Sequence, residues 1–345
     1  MIKSDIASTV PIIAIDAMGG DVGLDTTLAA VLSVKNQYPA LKLILVGNQS
    51  IIEKHSLFPQ IASQMEIVHA EQIVAMDESP SSVLRHKNDS SMWRALELVQ
   101  QGKADACVSA GNTGALMGCA RFILKMLPNI SRPAICSTVP NRYGHVHWLD
   151  LGANVSAKPE QLKQFAIMGS ELSKAVDNIA SPTVGLLNVG SEAIKGNDIV
   201  KEANTLISAT DLNYVGYVEG NDLFLRKDLN VVVCDGFVGN VALKTVEGIA
   251  KFIQYGMEAE FKRSFFSRLT ALVALPALKR LKKRIDPRMY NGATLLGLQG
   301  LVIKSHGNAD PIAFANAINL ARLEVENNVL HRICEQLQLN PEHDQ

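Results

Sequence analysis

Short apolar, β-branched runs alternate along the chain with longer stretches whose apolar positions recur every three to four residues. This alternation predicts a parallel-rich sheet flanked by helices. A strand buried on both faces reads as a continuous apolar run, whereas a covering helix is apolar on one side only. The predicted strands are Val10 to Ile15, Leu41 to Val46, Met65 to His69, Ala104 to Ser109, Ala134 to Val139, His147 to Leu151, Thr183 to Val189, Tyr214 to Val218, Asn230 to Cys234 and Gly300 to Ile303. The predicted helices are Leu24 to Lys35, Ser90 to Gln101, Thr113 to Lys125, Glu160 to Val176, Asp198 to Ser208, Val238 to about Phe261, and Pro311 to about Gln336. No repeat and no Ser/Gly-rich linker divides this pattern. We read 10–338 as one α/β unit, with an extension over 1–9 and a polar tail over 339–345.

One segment departs from the pattern. Between Phe261 and Ile285, eight basic residues and no acidic one surround an apolar run from Ala271 to Leu278. Pro276 lacks the amide a helix interior needs, so two helices meeting at an apolar tip are expected, a protruding amphipathic hairpin at about 255–290. One reading is a peripheral membrane foot, with Leu272, Val273, Leu275 and Leu278 in the acyl boundary and Lys279 and Arg280 on anionic head groups. The others are a dimer-interface helix pair and a docking face for an acidic protein.

Composition narrows the class. Of 345 residues, 47% are hydrophobic and 19% charged, which excludes a disordered or collagen-like chain. Lys+Arg 33 against Asp+Glu 34 gives a net charge of -1, so no basic excess points to nucleic acid. Cys107, Cys119, Cys136, Cys234 and Cys334 lie far apart, mostly within apolar runs, and read as buried thiols of a reducing compartment. MIKSDIASTV is not a signal peptide and no window is apolar enough to span a bilayer, so a cytoplasmic location is expected.

In open parallel sheets ligands bind beyond the carboxyl ends of strands. Here Ile13 to Asp21, Ala106 to Ala115, His147 to Asn154, Leu186 to Asn197 and Val232 to Asn240 each pass from an apolar run into Gly with Asp, Asn, Ser or Lys. Five such turns predict one polar cleft. Ser109-Ala110-Gly111-Asn112-Thr113-Gly114 ends a strand and opens a helix, an arrangement that suits phosphate or, alternatively, only a capped turn. Asp235-Gly236-Phe237-Val238-Gly239-Asn240 has the same two readings. Lys195 stands before a helix start, where a cation opposes the helix dipole unless an anion compensates it; the alternative is a solvated surface lysine. Asp16 and Asp235 close strands and serve either to orient cations or to form turns. The eight histidines contain no HExxH, and no metal-ligand spacing stands out, so no metal is expected. No GxSxG elbow or Cys/His pair suggests a covalent intermediate.

Seven ordered motifs together resemble the bacterial phosphate acyltransferase family of phospholipid synthesis: DAMGGD at Asp16 to Asp21, SAGNTGALMG at Ser109 to Gly118, LDLGANV at Leu149 to Val155, QFAIMGS at Gln164 to Ser170, KGN at Lys195 to Asn197, CDGFVGN at Cys234 to Asn240, and VIKSHG at Val302 to Gly307. The resemblance covers about 11–332. It implies a Rossmann-like sheet of the phosphotransacetylase and isocitrate-dehydrogenase-like type, usually as a homodimer. It also implies transfer of a long-chain acyl group from acyl-acyl carrier protein to inorganic phosphate, without a cofactor. The acyl phosphate would then feed a membrane glycerol-3-phosphate acyltransferase. On this resemblance Asp16, Gly19, Gly20, Gly111, Asn112, Thr113, Gly114 and Asn154 are expected to bind phosphate or substrate. Lys195 and Asn240 would meet phosphate and the developing oxyanion, Asp235 and Asp16 would hold cations in place, and His306 would protonate the leaving thiolate. The chain departs from the family pattern at Ser156-Ala157, at Ser191 and near Leu24. Two further readings are a short-chain phosphotransacetylase using acyl-coenzyme A and a noncatalytic membrane scaffold.

Overall fold

The computed structural model describes residues 10–339 except 22 and 285, so the extension over 1–9 and the tail from 340 lie outside the described residues. The strands are β1 (Ile12–Asp16), β2 (Lys42–Gly47), β3 (Glu66–His69), β4 (Ala106–Ser109), β5 (Ala134–Asn141), β6 (Gly144–Leu149), β7 (Thr183–Leu187), β8 (Asn213–Val218), β9 (Val231–Val233), β10 (Ala293–Leu296) and β11 (Leu301–Lys304). The helices are α1 (Gly23–Gln37), α2 (Gln49–Lys54), α3 (Pro80–His86), α4 (Ser91–Gln100), α5 (Thr113–Leu124), α6 (Pro159–Asp177), α7 (Asp198–Ser208), α8 (Asp222–Leu225), α9 (Gly236–Lys262), α10 (Phe265–Arg284), α11 (Pro311–Glu326) and α12 (Val329–Leu339).

All eleven strands form one sheet in the order β3-β2-β1-β4-β11-β10-β5-β6-β9-β7-β8. The parallel-rich sheet flanked by helices is therefore present. The pairs β11·β10, β10·β5 and β5·β6 are antiparallel, and all others are parallel. Three reversals leave β6, β9, β7 and β8 running opposite to β1, β2, β3, β4 and β11. Ala293 pairs with both Lys304 and Ser137, and Ser137 pairs with Trp148. Asp150, two residues further along, thus leaves the sheet at the edge where β11 begins. Strand direction therefore reverses between the Gly-rich turns after β1 and β4 and those after β6, β7 and β9, and α9 links the two groups, with Gly239 seated on Asp150 and Glu247 Oε1 3.9 Å from His306 Nε2.

Four local expectations also change. β10 is absent from the predicted strands because four residues between Gly292 (φ +125°) and Gly297 (φ +94°) carry little pattern of their own. The single helix predicted from Pro311 breaks at Asn328, which takes a left-handed φ of 53°. The short α2, α3 and α8 are also additional to the pattern. Pro276 does not end a helix: it lies inside α10, and the carbonyl deprived of a partner belongs to Leu272, a 65% exposed residue that solvent reaches. The hairpin instead turns at Arg263 and Ser264. There Ser264 Oγ accepts the Ser267 amide at 3.0 Å and caps α10.

The core lies on both faces of the sheet, with Trp148, Phe165 and Phe314 its largest wholly buried side chains. The five cysteines are free and buried. Among the described residues, no helix is long and apolar enough to cross a membrane.

Candidate active site

The ends of β1, β4 and β11, adjacent in the sheet, form the first part of the site. Asp16 is buried and accepts Ser109 Oγ at 2.6 Å. Burial raises its carboxyl pKa, against hydrogen bonds from Ser109, Ser91, Met18 and Gly19. A Cβ on Gly19 would lie 2.4 Å from Asp16 Oδ2 and 2.9 Å from the Gly111 nitrogen, so only glycine allows these two loops to meet. Gly20 packs equally close to Ala110 and to the Gly307 carbonyl, and the Asp21 amide donates to that carbonyl at 2.7 Å. The Ser305 amide donates to Ser109 O at 2.8 Å.

α5 opens directly from this junction. Asn112 is its cap: Oδ1 accepts the Ala115 amide at 2.9 Å, while Nδ2 donates to Met76 O at 2.6 Å and Glu78 O at 3.2 Å. The side chain of Asn112 is thus occupied in holding the loop. The amides of Thr113 and Gly114 precede the first intrahelical bond, from Leu116 N to Asn112 O, so the helix itself offers them no acceptor. Both residues are exposed and sit at the positive end of the dipole.

Lys304, which ends β11, is the residue the sequence reading overlooked. It is only 9% exposed, and its ammonium donates to Ala110 O at 3.1 Å and to Ser305 O. Burial pushes its pKa down to about 8, against the attraction of Asp16 and Asp21. An ammonium has three donors, of which two are spent here. The available signal was a lysine terminating an apolar strand run within Val302 to Gly307.

The opposite edge holds the second group. Asp150 accepts the amides of Ile135, Ala153 and Asn154 at 2.8 to 2.9 Å and the Asn154 Nδ2 at 2.9 Å. Asn154 is buried and gives its other amide hydrogen to Pro133 O at 2.7 Å, so its donors serve the loop. Asp235 caps α9, accepting the Val238 amide at 3.0 Å. A Cβ on Gly239 would fall 1.9 Å from Asp150 O, which seats the start of α9 directly on the loop. Asn240 is exposed and lies over Gly152, where a Cβ would be 3.4 Å from its own.

α9 connects the two edges. From Gly236 to Glu247 it rises about 16 Å, and there Glu247 Oε1 stands 3.9 Å from His306 Nε2. The His306 pKa is held below its ordinary value by partial desolvation and by Lys244, Lys304 and Lys251, against the pull of Glu247. His306 and Lys304 therefore face the polar side of α9. Lys195 stands apart at the end of β7: it is exposed, it packs beside Gly190, and its ammonium makes no hydrogen bond or ion pair among the described residues.

The site is thus an anion-suited cradle at one edge, a helix leading from it, and an exposed lysine at the other edge. A family model described as "Fatty acid synthesis protein" matches residues 12–332. A phosphate acyltransferase of Methylococcus capsulatus is 54% identical over 327 residues, covering 94% of this chain and 96% of that one. One from Legionella pneumophila is 52% identical over 330 residues, with the same coverage. Among solved structures, a phosphotransacetylase from Streptococcus pyogenes superposes with a TM-score of 0.60 at 17% identity, over 92% of this chain and 94% of that one. A branched-chain phosphotransacylase from Enterococcus faecalis gives 0.59 at 13%, over 92% and 99%. These two likenesses establish the shared fold. With relatives about half identical over nearly its whole length, the chain belongs to the phosphate acyltransferase family, and so to the acyltransferases of lipid synthesis.

Proposed function

We propose that this chain transfers a long-chain fatty acyl group from acyl-acyl carrier protein to inorganic phosphate. A phosphate oxygen attacks the thioester carbonyl carbon, the resulting tetrahedral oxyanion collapses, and the carrier's thiolate departs and takes up a proton. Phosphate is already anionic at neutral pH, so the protein's task is to gather and neutralise charge rather than to deprotonate. The observation that carries this reading is the buried ammonium of Lys304 beside the Gly19, Gly20 and Gly111 junction and the α5 N-terminus. In this reading the Thr113 and Gly114 amides bind phosphate, while Asp16, Asn112, Asn154 and Asp235 keep the loops in place. Asn240, one turn of α9 before Lys244, approaches the oxyanion, and Lys195 joins it from the loop after β7 when substrate is bound. His306, kept largely neutral by its lowered pKa, relays to the departing thiolate the proton that hydrogen phosphate gives up.

The hairpin of α9 and α10 is the foot on an anionic membrane surface, where the acyl phosphate passes to a membrane glycerol-3-phosphate acyltransferase. Phe265 and Phe266 at its turn are 76% exposed, and Leu272 and Val273 follow on α10 at 65% and 80%. Lys279 and Arg280 are also exposed; the side chains of Lys282, Lys283 and Arg284 lie outside those described. Apolar side chains bordered by cations suit insertion to head-group depth. A second copy covers the exposed apolar positions of α9, among them Val241, Ile249 and Phe252.

The deciding assay follows carrier thiol release from palmitoyl-acyl carrier protein with and without phosphate. Phosphate-dependent release is expected. Turnover of acetyl-coenzyme A but not of the carrier would make the chain a short-chain phosphotransacetylase, and inertness toward both would leave only the scaffold reading.

A further inference from the structure

On the face of the sheet covered by α6, away from α9, His145 and His147 of β6 meet Asp177 at the end of α6. Residues two apart on a strand point to the same side, which is why both imidazoles converge. His145 Nε2 lies 2.8 Å from Asp177 Oδ1, and His147 Nε2 lies 2.7 Å from Asp177 Oδ2. The side chains of His147 and Asp177 are 3% and 10% exposed, while that of His145 is 37% exposed and opens the group to solvent. One ligand atom from each residue falls within 4.8 Å of the others. Sequence spacing concealed this because Asp177 lies thirty positions beyond His147.

We propose that His145, His147 and Asp177 form a binding site for a transition-metal dication of the zinc type, separate from the acyl transfer site. Two imidazoles and one carboxylate are a nitrogen and oxygen set that suits zinc, and three protein ligands leave a fourth position for water on the open side at His145. Ligand atoms around a tetrahedral zinc sit about 3.3 Å apart. The two imidazole-to-carboxylate contacts open by about half an ångström, and any wider separation within the 4.8 Å group closes toward the same spacing, when an ion binds.

The surrounding groups suit metal binding. Thr138 Oγ1 stands 3.3 Å from His147 Nδ1, and its hydroxyl can accept from Nδ1–H, which frees the Nε2 lone pair for a metal. Ser173 Oγ donates to Asp177 Oδ2 at 2.8 Å and fixes the carboxylate. An ion bound here ties the start of β6 to the end of α6. Its effect falls on stability, and none of its ligands belongs to the transfer machinery.

The test uses the untagged full chain, stripped with a chelator and titrated with Zn²⁺, and in parallel with Co²⁺ read by visible absorption. One equivalent should bind, with the intense absorption of four-coordinate Co²⁺ and a raised Tm in Zn²⁺. His145→Ala and Asp177→Asn should each remove the absorption and the rise in Tm, while turnover of acyl-acyl carrier protein stays within twofold. Thr138→Val should weaken Zn²⁺ binding about tenfold or more. His69→Ala, at a solvent-exposed histidine elsewhere, should change nothing. The proposal fails if the wild-type chain binds no stoichiometric ion. It also fails if His145→Ala, or Asp177→Asn should the first variant not fold, binds Zn²⁺ as the wild-type chain does.

Discussion

Lys304→Met tests the phosphate site most directly. The substitution keeps an unbranched side chain but removes the ammonium that reaches Ala110 O and Ser305 O. Stability effects oppose each other. A lysine whose folded pKa is lowered from 10.5 to about 8 costs stability throughout the pH range below 8, a cost relieved only as pH rises from 8 toward 10.5. Removing the charge at pH 7 therefore returns about 3 kcal/mol, while two carbonyls losing their donor cost about 1 to 3 kcal/mol each. The variant should fold. Its turnover with phosphate should fall about 10²- to 10³-fold, the scale of one preorganised donor lost at a developing charge. The wild-type enzyme should also lose activity as Lys304 deprotonates. With a pKa near 8, the charged fraction drops from about nine-tenths at pH 7 to about one-tenth at pH 9. The measurement is kcat/KM for phosphate from pH 6.5 to 9.5, by carrier thiol release. Lys304→Arg, whose charge persists, should show no such decline and so separates the lysine from the titration of phosphate itself. A wild-type profile flat from pH 7 to 9, or a folded Lys304→Met variant with a third or more of normal turnover, would refute the assignment.

Lys195→Ala should lower turnover about 10²-fold with Tm unchanged, since its exposed ammonium holds no partner within the described chain; normal kinetics would confine the site to the β1, β4 and β11 edge. Gly19→Ala should cost about 1 to 3 kcal/mol and at least tenfold in turnover, because the new Cβ meets Asp16 Oδ2 and the Gly111 nitrogen; denaturant melts beside kinetics would expose a mistake. Val273→Glu should weaken co-sedimentation with anionic vesicles more than Leu275→Glu does, because Val273 is 80% exposed and Leu275 38%. Carrier-dependent turnover should survive both changes, and unaltered sedimentation would remove the hairpin from the membrane. Glu324 is wholly buried, and burial raises its pKa from 4.5 to about 8 against the hydrogen bond from Thr294. The folded state therefore keeps a proton that the unfolded chain releases, and stability should fall between pH 4.5 and 8 by up to about 1.4 kcal/mol per unit. Glu324→Gln should flatten that slope, and parallel stability curves for variant and wild type would disprove it.

Local pattern carried much of this protein. The strand runs and the glycines beside Asp16, Ser109, Leu149 and Cys234 are legible because a buried strand must be apolar and a tight turn after it must be small, whatever the rest of the chain does. The motifs in order were enough to mark the family resemblance. Strand direction was not legible. It depends on β10, whose two antiparallel pairings leave β5 running the same way as β11, so that the β5·β6 pair alone turns β6, β9 and β7, and with them the Asp150 and Lys195 turns, the other way. The same holds for Lys304, which looks like any surface lysine until Ala110, Asp16 and Asp21 close around it. His145 and His147 likewise acquire Asp177 only when α6 folds back along the sheet. Pro276 shows the reverse: a local rule predicted a break, yet the helix continues through it where Leu272, the residue four positions earlier, is 65% exposed. Periodicity and turn chemistry act between neighbours in the chain and so can be read along it. Burial, pairing direction and the meeting of charges act between neighbours in space, and only the tertiary structure decides which residues those are.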